Sequence, residues 1–509
     1  MAHVTEKEIV SRPEYDENGR AHYSLPNDRA EENLVVACPQ VAEKVIPVIF
    51  LPGVMGSNLK EKTSPKTVWC ADMSLGLDAL TWVFKSKKER KALLNPLSTE
   101  VDGRGTVLYD DLEGRVFPSR TARGWGSALY KSYGEALHVL QFMLNDAHIL
   151  IDNLKNGTIR RTSRQLLIGE DLGAEKGEDA LTEAEVRRSY DYLFPLHVFG
   201  YNWLQSNADS AVQLDRYIKK VLASYQDRLA VDKVILVTHS MGGLVARYYS
   251  EELNGRDNIL GIVHGVMPDL GSPTAYRRMK TGERGIVGAV MGDDAASLMP
   301  VLAQSPGPLQ LLPGKAYGQG WLRIHSDTEK VSKPVSDPYT EIYLNEDDWW
   351  RLCEKELLLN DVEEEWEKYK NIIKNDVLVF IEGLTGQYHP NTYAFYGASV
   401  KYPSDDHLIW QQIQIPTLFK GSPVKDPVQR HSGGKTFKLI SSGSRGDGTV
   451  PVSSGRIACS GIRALLATDV DHEGAYHVGD IGREEGLSVA MKFTLRSIIK
   501  MTKEIGACG

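Results

Sequence analysis

The chain has 509 residues, of which 42% are hydrophobic and 25% are charged, with a formal net charge of -8. This composition is typical of a globular protein, and because no run of 18 apolar residues occurs, the sequence predicts no membrane-spanning helix. The negative charge argues against a general nucleic-acid binder, and five scattered cysteines without a C-x-x-C pair predict reduced thiols and no cysteine metal site.

The first elements are an arm and a buried strand. Residues 1–40 are polar and irregular, and we expect them to lie on the surface. The run VIPVIFLPGVMGSNL at 45–59 predicts a buried strand followed by a glycine-containing loop. The polar, acidic start lacks the basic and apolar segments of a secretory signal. The sequence therefore predicts a cytoplasmic protein, and export by a route that reads no cleavable signal stays open.

Strands and helices alternate through the middle of the chain. The predicted helices are YGEALHVLQFML (133–144), the stretch from Ser206 to Tyr225, and MGGLVARYYSEEL (241–253). The predicted strands are LHVFGYNW (196–203), KVILVTHS (233–240) and NILGIVHGV (258–266). Such alternation predicts a mostly parallel sheet covered by helices on both faces.

Residues 270–430 break this alternation, which then resumes. Within them we predict a long amphipathic helix from Asp347 over DDWWRLCEKELLLNDVEEEWEKYKNII, and strands at DVLVFIEG (376–383) and HPNTYAFYGASV (389–400). The tryptophans of that helix favour a packed cap. Alternation resumes with strands KTFKLIS (435–441) and IRALLAT (462–468), and with a closing helix from Ser488.

A candidate nucleophile lies in THSMGG (238–243), where a predicted strand becomes a helix. A sharp turn there lifts a serine hydroxyl above the sheet, which favours Ser240 as a nucleophile over a simple helix N-cap. The usual G-x-S-x-G motif has glycine where this chain has Thr238. Its β-branched side chain suits the last residue of a strand, so we expect the turn to tolerate it.

A serine hydroxyl needs a base and an orienting acid, which follow it in the order acid, then histidine, each on a loop after a strand. GDGTVP after FKLIS offers Asp447, and DHEGAYH after IRALLAT offers His472. Asp471 is the weaker alternative acid and His477 the weaker alternative base. We expect the remaining candidates to be structural: His239, His264 and His389.

An oxyanion hole needs two backbone N–H groups. One comes from the residue after the nucleophile, Met241, and the other from the loop after an early strand. LPGVMGSN supplies that loop, where Met55 is the first choice and Val54 the second.

Together these motifs resemble the lecithin:cholesterol acyltransferase-like branch of the α/β-hydrolases. RGWGS, FGYNW, SPGPLQLLP, HPNTYAFYG and DHEGAY are similar to bacterial members identified as esterases or lipases, some of which resemble lipase effectors of type VI secretion. The resemblance spans roughly residues 45–500 and implies acyl-ester chemistry on lipids by Ser240, Asp447 and His472. Where relatives commonly read Tyr-Asp-Trp-Arg, this chain reads YNWL from Tyr201, so substrate contacts by that Asp and Arg do not carry over.

The predicted architecture is an α/β-hydrolase domain over 41–509, with insertions at about 60–195 and 275–430 that form a cap. The apolar LGLDALTWVF (75–84) precedes the basic KSKKERK (85–91). These segments fit a lid that meets an acyl chain and an anionic membrane surface, and equally a helix packed on the core with a solvated basic end.

The predicted activity is hydrolysis of lipid carboxylic esters through an acyl-enzyme. An acyltransferase with the same triad and a non-enzymatic binding module on a hydrolase scaffold stay open. As a biological role, the hydrolase could be a secreted toxin against membrane phospholipids, with an immunity or secretion partner. No H-E-x-x-H or EF-hand pattern occurs, and the chemistry needs no metal or cofactor.

Overall fold

Six described strands form a central sheet. In the computed structural model they are β1 (Val48–Leu51), β2 (Leu196–Val198), β3 (Val234–His239), β4 (Ile259–Gly265), β5 (Thr392–Gly397) and β6 (Ala464–Thr468). Their order across the sheet is β2-β1-β3-β4-β5-β6, and each neighbouring pair is parallel. β3 and β4 are buried along their whole length, as apolar strands covered on both faces should be.

The structure describes residue 42, residues 44–506 with gaps, and four short N-terminal strands. The gaps are 71–81, 83–84, 109–116, 147–160, 178–179, 228, 284–287, 289, 415–428, 458–460 and 480–486. The apolar half of the predicted lid, 75–84, lies outside the described residues except for Trp82, which is buried. Within the described residues, every helix is too short or too polar to cross a lipid bilayer.

Helices cover both faces of the sheet. The four that matter for the site are α1 (Tyr130–Asn145), α2 (Asn207–Ala223), α3 (Gly242–Glu251) and α4 (Val489–Met501). Ile49 and Leu51 of β1 join a hydrophobic cluster with residues of α2 and α3, whereas Val48 and Phe50 join a second cluster with residues of α1 and α4. Alternate side chains of one strand thus enter opposite layers, and the predicted parallel sheet covered on both faces is confirmed.

The other strands form smaller sheets. A five-stranded sheet contains, in spatial order, Lys330–Lys333, Leu322–His325, Leu408–Ile413, Lys435–Ser441 and Gln429–Ser432. Three smaller sheets follow the N-terminal region: one joins Thr67–Trp69, Leu59–Glu61 and Thr99–Val101, one joins Lys44–Val45 with Tyr192–Leu193, and one joins Ser399–Ser404 with Ser444–Gly446.

Short helices connect these sheets. The α-helices are Lys87–Leu93, Ser163–Leu166, Glu183–Ser189, Pro273–Thr281, Ala295–Leu302, Pro306–Leu309, Val362–Asn371, Val379–Leu384 and Val452–Gly455. The 3-10 helices are Trp125–Ser127, Gly255–Asn258, Lys315–Tyr317, Lys355–Leu357 and Thr502–Gly506, and the π-helices are Tyr339–Tyr343 and Ile372–Leu378.

The N-terminal region is less irregular than the sequence predicts. Within the predicted arm, 1–40, the strand Lys7–Val10 pairs with Leu34–Ala37, and Pro13–Tyr15 pairs with Ala21–Tyr23.

Two predicted elements outside the central sheet are wrong. The helix predicted from Asp347 begins at Val362, because Asp361 accepts hydrogen bonds from two backbone N–H groups and caps the helix there. The strand predicted at DVLVFIEG is helical, over Ile372–Leu378 and Val379–Leu384. Its apolar residues face both the sheet helices and a third hydrophobic cluster, and such a run does not distinguish a buried helix from a strand.

The predicted insertions are wrong as continuous segments. β5 lies inside 275–430 and pairs with β4 and β6 in the central sheet. α1 lies inside 60–195 and packs on the sheet through Leu137 and Leu140. The chain therefore returns to the core within each segment, and a cap formed by the remaining residues stays a prediction.

Candidate active site

Ser240 lies on a tight turn between β3 and α3. Its φ is +51°, in the left-handed region that a residue with a Cβ rarely adopts. Two hydrogen bonds hold this conformation: the Ser240 N–H donates to Gly265 O at 2.9 Å, and the Gly243 N–H donates to Ser240 O at 2.9 Å. A Cβ at Gly242 would come within 2.6 Å of Leu51 O, so glycine is needed where α3 passes β1.

Thr238 fits the turn because its side chain points towards β4. Its Oγ1 is 2.9 Å from Nδ1 of His264, and its carbonyl oxygen accepts the Tyr476 hydroxyl at 3.0 Å. The contact with His264 is made by the threonine side chain and could not be made by a glycine, which explains the departure from G-x-S-x-G in local terms.

The three predicted triad side chains lie in contact. Nε2 of His472 is 2.8 Å from Oγ of Ser240, and Nδ1 of His472 is 2.8 Å from Oδ2 of Asp447. An ionised carboxylate only accepts, so Nδ1 carries the proton and Nε2 is left to accept the Ser240 hydroxyl. This tautomer is the one that a general base at His472 requires.

Asp447 is fixed by its own turn. The side chain is buried, and Oδ1 accepts the backbone N–H groups of Thr449 at 2.9 Å and Val450 at 2.7 Å. Hydrogen bonds of this kind to a carboxylate oxygen are short and strong, and they fix the side chain in place. They also leave Oδ2 as the oxygen that faces His472.

The strand that precedes Asp447 is not the predicted one. FKLIS, in Lys435–Ser441, belongs to the five-stranded sheet rather than the central sheet. Asp447 instead follows Ser444–Gly446, which pairs with the extension of β5, Ser399–Ser404. At Gly397 a Cβ would lie 2.5 Å from Asp447 Cβ, so glycine at the end of β5 makes room for the acid.

His472 follows the edge strand β6. The weaker alternative acid, Asp471, and the weaker alternative base, His477, bond only to nearby backbone in the contacts described for them. The His472 N–H donates to Asp447 O at 2.8 Å. Asp471 accepts the Gly474 N–H at 2.7 Å, and the exposed His477 accepts the Gly479 N–H at 3.0 Å. The structure thus brings His472 and Asp447 to Ser240.

The loop that carries Met55, residues 52–56, is held at several points. Met55 has φ +60°, and its carbonyl oxygen accepts the Trp69 indole N–H at 2.8 Å. The Tyr201 hydroxyl donates to Pro52 O at 2.8 Å. Met241, the other predicted oxyanion donor, is fully buried at the N-cap of α3. The two residues predicted to donate backbone N–H groups to the oxyanion, Met55 and Met241, thus lie in constrained backbone.

His239 and Tyr133 join the site in a way that the sequence does not predict. His239 Nε2 is 2.8 Å from the carbonyl oxygen of His472, and His239 Nδ1 is 2.8 Å from the Tyr133 hydroxyl. Burial, with a smaller contribution from His472, lowers the pKa of His239 to about 3, so this ring is neutral. Tyr133 is 106 residues from His239 along the chain, and no local pattern marks it.

The asparagine in YNWL, where relatives commonly have aspartate, has a structural reason. The Asn202 side-chain amide donates to Thr99 O at 2.9 Å and to Pro96 O at 3.3 Å. A carboxylate has no proton to donate to these carbonyl oxygens. Asn202 therefore fixes the segment around Pro96 and Thr99, and Leu204 beside it is fully buried.

Comparisons with known proteins agree with this fold. The family model described as lecithin:cholesterol acyltransferase matches residues 196–463, a range that includes Ser240 and Asp447. A chain of the crystal structure of the Tle4-Tli4 complex is similar, with a TM-score of 0.75 and 29% identity, covering 91% of this chain and 99% of that one. Comparison with curated proteins gave no match. These similarities confirm the predicted resemblance and the α/β-hydrolase fold.

Proposed function

We propose that this chain, which belongs to the lecithin:cholesterol acyltransferase family, hydrolyses carboxylic esters of lipids at Ser240. The observation that carries the proposal is the pair of 2.8 Å contacts from His472, one to Ser240 Oγ and one to Asp447 Oδ2. The family match and the similar solved structure support chemistry on lipid esters in general, and the arrangement of the site residues suggests the mechanism described below.

In the first half of the reaction, Ser240 Oγ attacks the ester carbonyl carbon while His472 Nε2 takes the hydroxyl proton. The carbonyl oxygen becomes an oxyanion, which the backbone N–H groups of Met55 and Met241 receive. His472 then gives its proton to the leaving alcohol as the carbon–oxygen bond breaks, and the acyl group remains on Ser240.

In the second half, His472 takes a proton from water, whose oxygen attacks the acyl carbon. The second tetrahedral intermediate collapses, His472 returns the proton to Ser240 Oγ, and the fatty acid leaves. Asp447 remains ionised throughout and stabilises the imidazolium. Its interaction is strengthened because the carboxylate is buried away from water.

The direct test is lipid analysis of phospholipid vesicles incubated with wild-type protein and with Ser240→Ala. We expect free fatty acid and lysolipid with wild type and neither with Ser240→Ala. Ser250→Ala is the matched control, because Ser250 is equally buried, lies on α3 and bonds Glu251 rather than His472. Fatty acid release by Ser240→Ala at the wild-type rate would refute the proposal.

A second candidate function is acyl transfer to an alcohol, which the description of the matching family model favours. The two reactions share every step up to the acyl-enzyme and differ in the acceptor that enters next. Adding a long-chain alcohol to the vesicle assay distinguishes them. Hydrolysis predicts unchanged fatty acid release, whereas transfer predicts a new ester at the expense of fatty acid.

The biological role we infer is a secreted toxin that attacks membrane phospholipids and is neutralised by a partner protein. The similarity to a chain of the Tle4-Tli4 complex, over 91% of this chain, supports such a role and such a partner. Expression directed to the bacterial periplasm should arrest growth, and Ser240→Ala should relieve the arrest. Equal toxicity of wild type and Ser240→Ala would contradict a lipase toxin.

A cap built from parts of 60–195 and 275–430 belongs to the same proposal. For the 275–430 part, the support is a third hydrophobic cluster formed by residues between Tyr276 and Leu439, separate from the two layers that flank the sheet. Such a body beside the site would exclude water from a bound acyl chain.

A further inference from the structure

A continuous chain of hydrogen bonds links the 52–56 loop to the backbone of His472. The Gly53 N–H donates to the Tyr133 hydroxyl oxygen at 3.1 Å, that hydroxyl is 2.8 Å from His239 Nδ1, and His239 Nε2 is 2.8 Å from His472 O. Tyr133 and His239 are only 4% and 5% exposed, so water does not compete for these bonds.

The direction of every bond in this chain follows from its two ends. A carbonyl oxygen only accepts, so the His239 proton lies on Nε2 and points at His472 O. Nδ1 then has a free lone pair and accepts the Tyr133 O–H. The Tyr133 oxygen accepts from Gly53, whose backbone only donates. All four groups are satisfied in this one arrangement, which makes the chain geometrically specific.

His472 needs such a link because it comes from a distant strand. β6 lies three strands away from β3, which is about 14 Å at the usual interstrand spacing. The loop after β6, residues 469–477, must cross this distance for His472 to contact Ser240. The two residues before Ser240 hold that loop: Thr238 O accepts the Tyr476 hydroxyl, and the His239 ring donates to His472 O.

The His239 ring also packs closely against the 52–56 loop. A Cβ at Gly53 would lie 2.8 Å from His239 Nδ1 and 3.1 Å from Ser240 Cβ. The ring centroids of Tyr133 and His239 are 5.5 Å apart, and those of His239 and His472 are 5.3 Å apart. The His239 ring is thus packed between the 52–56 loop and His472, on the residue directly before the nucleophile.

We propose that His239 is a positioning residue which, together with Tyr133, holds the His472 backbone and the 52–56 loop at a fixed separation around the Ser240 hydroxyl. This inference rests on the proposed function. In the reaction, His472 and the oxyanion donor of the 52–56 loop act on opposite sides of the same carbon. A link between them sets both distances at once, and a displacement of about 1 Å can cost about 100-fold in rate.

Neutrality of His239 is part of the same role. During acyl transfer His472 becomes an imidazolium, and a second positive ring 5.3 Å away would oppose that charge. The other groups that face His239 are Tyr133 from α1, Tyr476 from the 469–477 loop and, at longer range, Asp447. Because His239 stays uncharged, the proton that leaves Ser240 goes to His472.

Two substitutions separate the ends of the link. In His239→Gln, the side-chain nitrogen takes the place of Nε2 and still donates to His472 O. In His239→Asn, the side-chain oxygen takes the place of Nδ1 and still accepts from Tyr133, but the shorter chain does not reach His472. The control is His264→Asn: His264 is an equally buried ring on β4 whose Nδ1 contacts Thr238 Oγ1 rather than either loop.

The assays are hydrolysis of a water-soluble short-chain ester and the rate of Ser240 labelling by a fluorophosphonate. We expect His239→Asn to lower kcat by about 10–100-fold with KM unchanged, and His239→Gln to lower it less, because His239→Gln keeps the bond to His472 O and loses only the bond to Tyr133. Labelling rates should follow kcat, and His264→Asn should stay within about twofold of wild type. Equal kcat for His239→Gln and His239→Asn, or for His239→Asn and the control, overturns the inference.

Tyr133→Phe decides the matter if a His239 variant fails to fold. It removes one hydroxyl, leaves the ring, and should lower kcat by about fivefold or more with KM unchanged. Wild-type kcat in a folded Tyr133→Phe overturns the inference. An inert wild-type protein would instead refute the proposed function itself, so the two failures are told apart by the wild-type rate.

Discussion

Asp447→Asn is the substitution whose effect can be worked most fully from the geometry. Oδ1 of Asp447 accepts two backbone N–H groups, from Thr449 and Val450. The asparagine oxygen must occupy this position, because an NH₂ group there would face two donors. The amide nitrogen then takes the Oδ2 position and points its proton at His472 Nδ1.

That proton forces the wrong tautomer of His472. Nδ1 has to accept, so the ring proton moves to Nε2, and Nε2 can no longer take the proton of Ser240. Loss of the correct tautomer typically lowers kcat by about 10⁴-fold, or about 5.4 kcal/mol at about 1.36 kcal/mol per tenfold. Stability should change little, because asparagine has the same shape and keeps the two bonds to Oδ1.

The assay is steady-state hydrolysis of a short-chain ester, with urea unfolding as the check on folding. Asp471→Asn is the matched control, because Asp471 is the neighbouring carboxylate and bonds only Gly474 among the contacts described for it. We expect Asp471→Asn to keep kcat within about twofold. A folded Asp447→Asn with more than a tenth of wild-type kcat, or a collapse of activity in Asp471→Asn, would show that the reasoning is wrong.

Three further predictions concern stability. Thr238→Gly should lower the free energy of unfolding by about 1–2 kcal/mol, because it removes the contact with His264 and adds a glycine to a strand. Asn202→Asp should lower it by about 3 kcal/mol, because a buried carboxylate would face Thr99 O without a proton to donate. Urea unfolding measures both free energies of unfolding. A free energy within roughly 0.3 kcal/mol of wild type, which is about the scatter seen for independent substitutions, would contradict either prediction. The third prediction is that acidification destabilises the fold, because burial lowers the pKa of each of three histidines to about 3, from 6.5: His197, His239 and His264. The unfolded chain binds protons at these sites below pH 6.5 and the folded chain does not, so stability is lost as the pH falls. The three sites together contribute about 4 kcal/mol between pH 8 and 5.5. A free energy of unfolding that stays constant or increases as the pH falls from 8 to about 5.5 would contradict the prediction.

The central sheet could be predicted because its sequence signals are local. KVILVTHS and NILGIVHGV are β-branched runs on either side of the helical sequence MGGLVARYYSEEL, and both form buried strands in the structure. The position of Ser240 follows from the same local pattern, since a strand, a serine and two glycines specify a turn. Asp447 and His472 could be nominated from their order in the chain.

What the sequence does not predict depends on contacts between distant segments. FKLIS looks like any amphipathic strand, and only its partners, Leu408–Ile413 and Gln429–Ser432, assign it to the five-stranded sheet. DVLVFIEG is apolar enough for a strand, but it is helical where it packs between two hydrophobic clusters. The contact of Tyr133 with His239 joins residues 106 positions apart and leaves no trace in either local sequence.

The central claim is that Ser240 is a nucleophile activated by His472, and site mapping of a fluorophosphonate adduct tests it most directly. The account predicts one label per wild-type molecule, on the peptide that carries Ser240, with labelling abolished by Ser240→Ala and slowed by several orders of magnitude in His472→Asn. Labelling of a different residue, or equal labelling of wild type and Ser240→Ala, would contradict it.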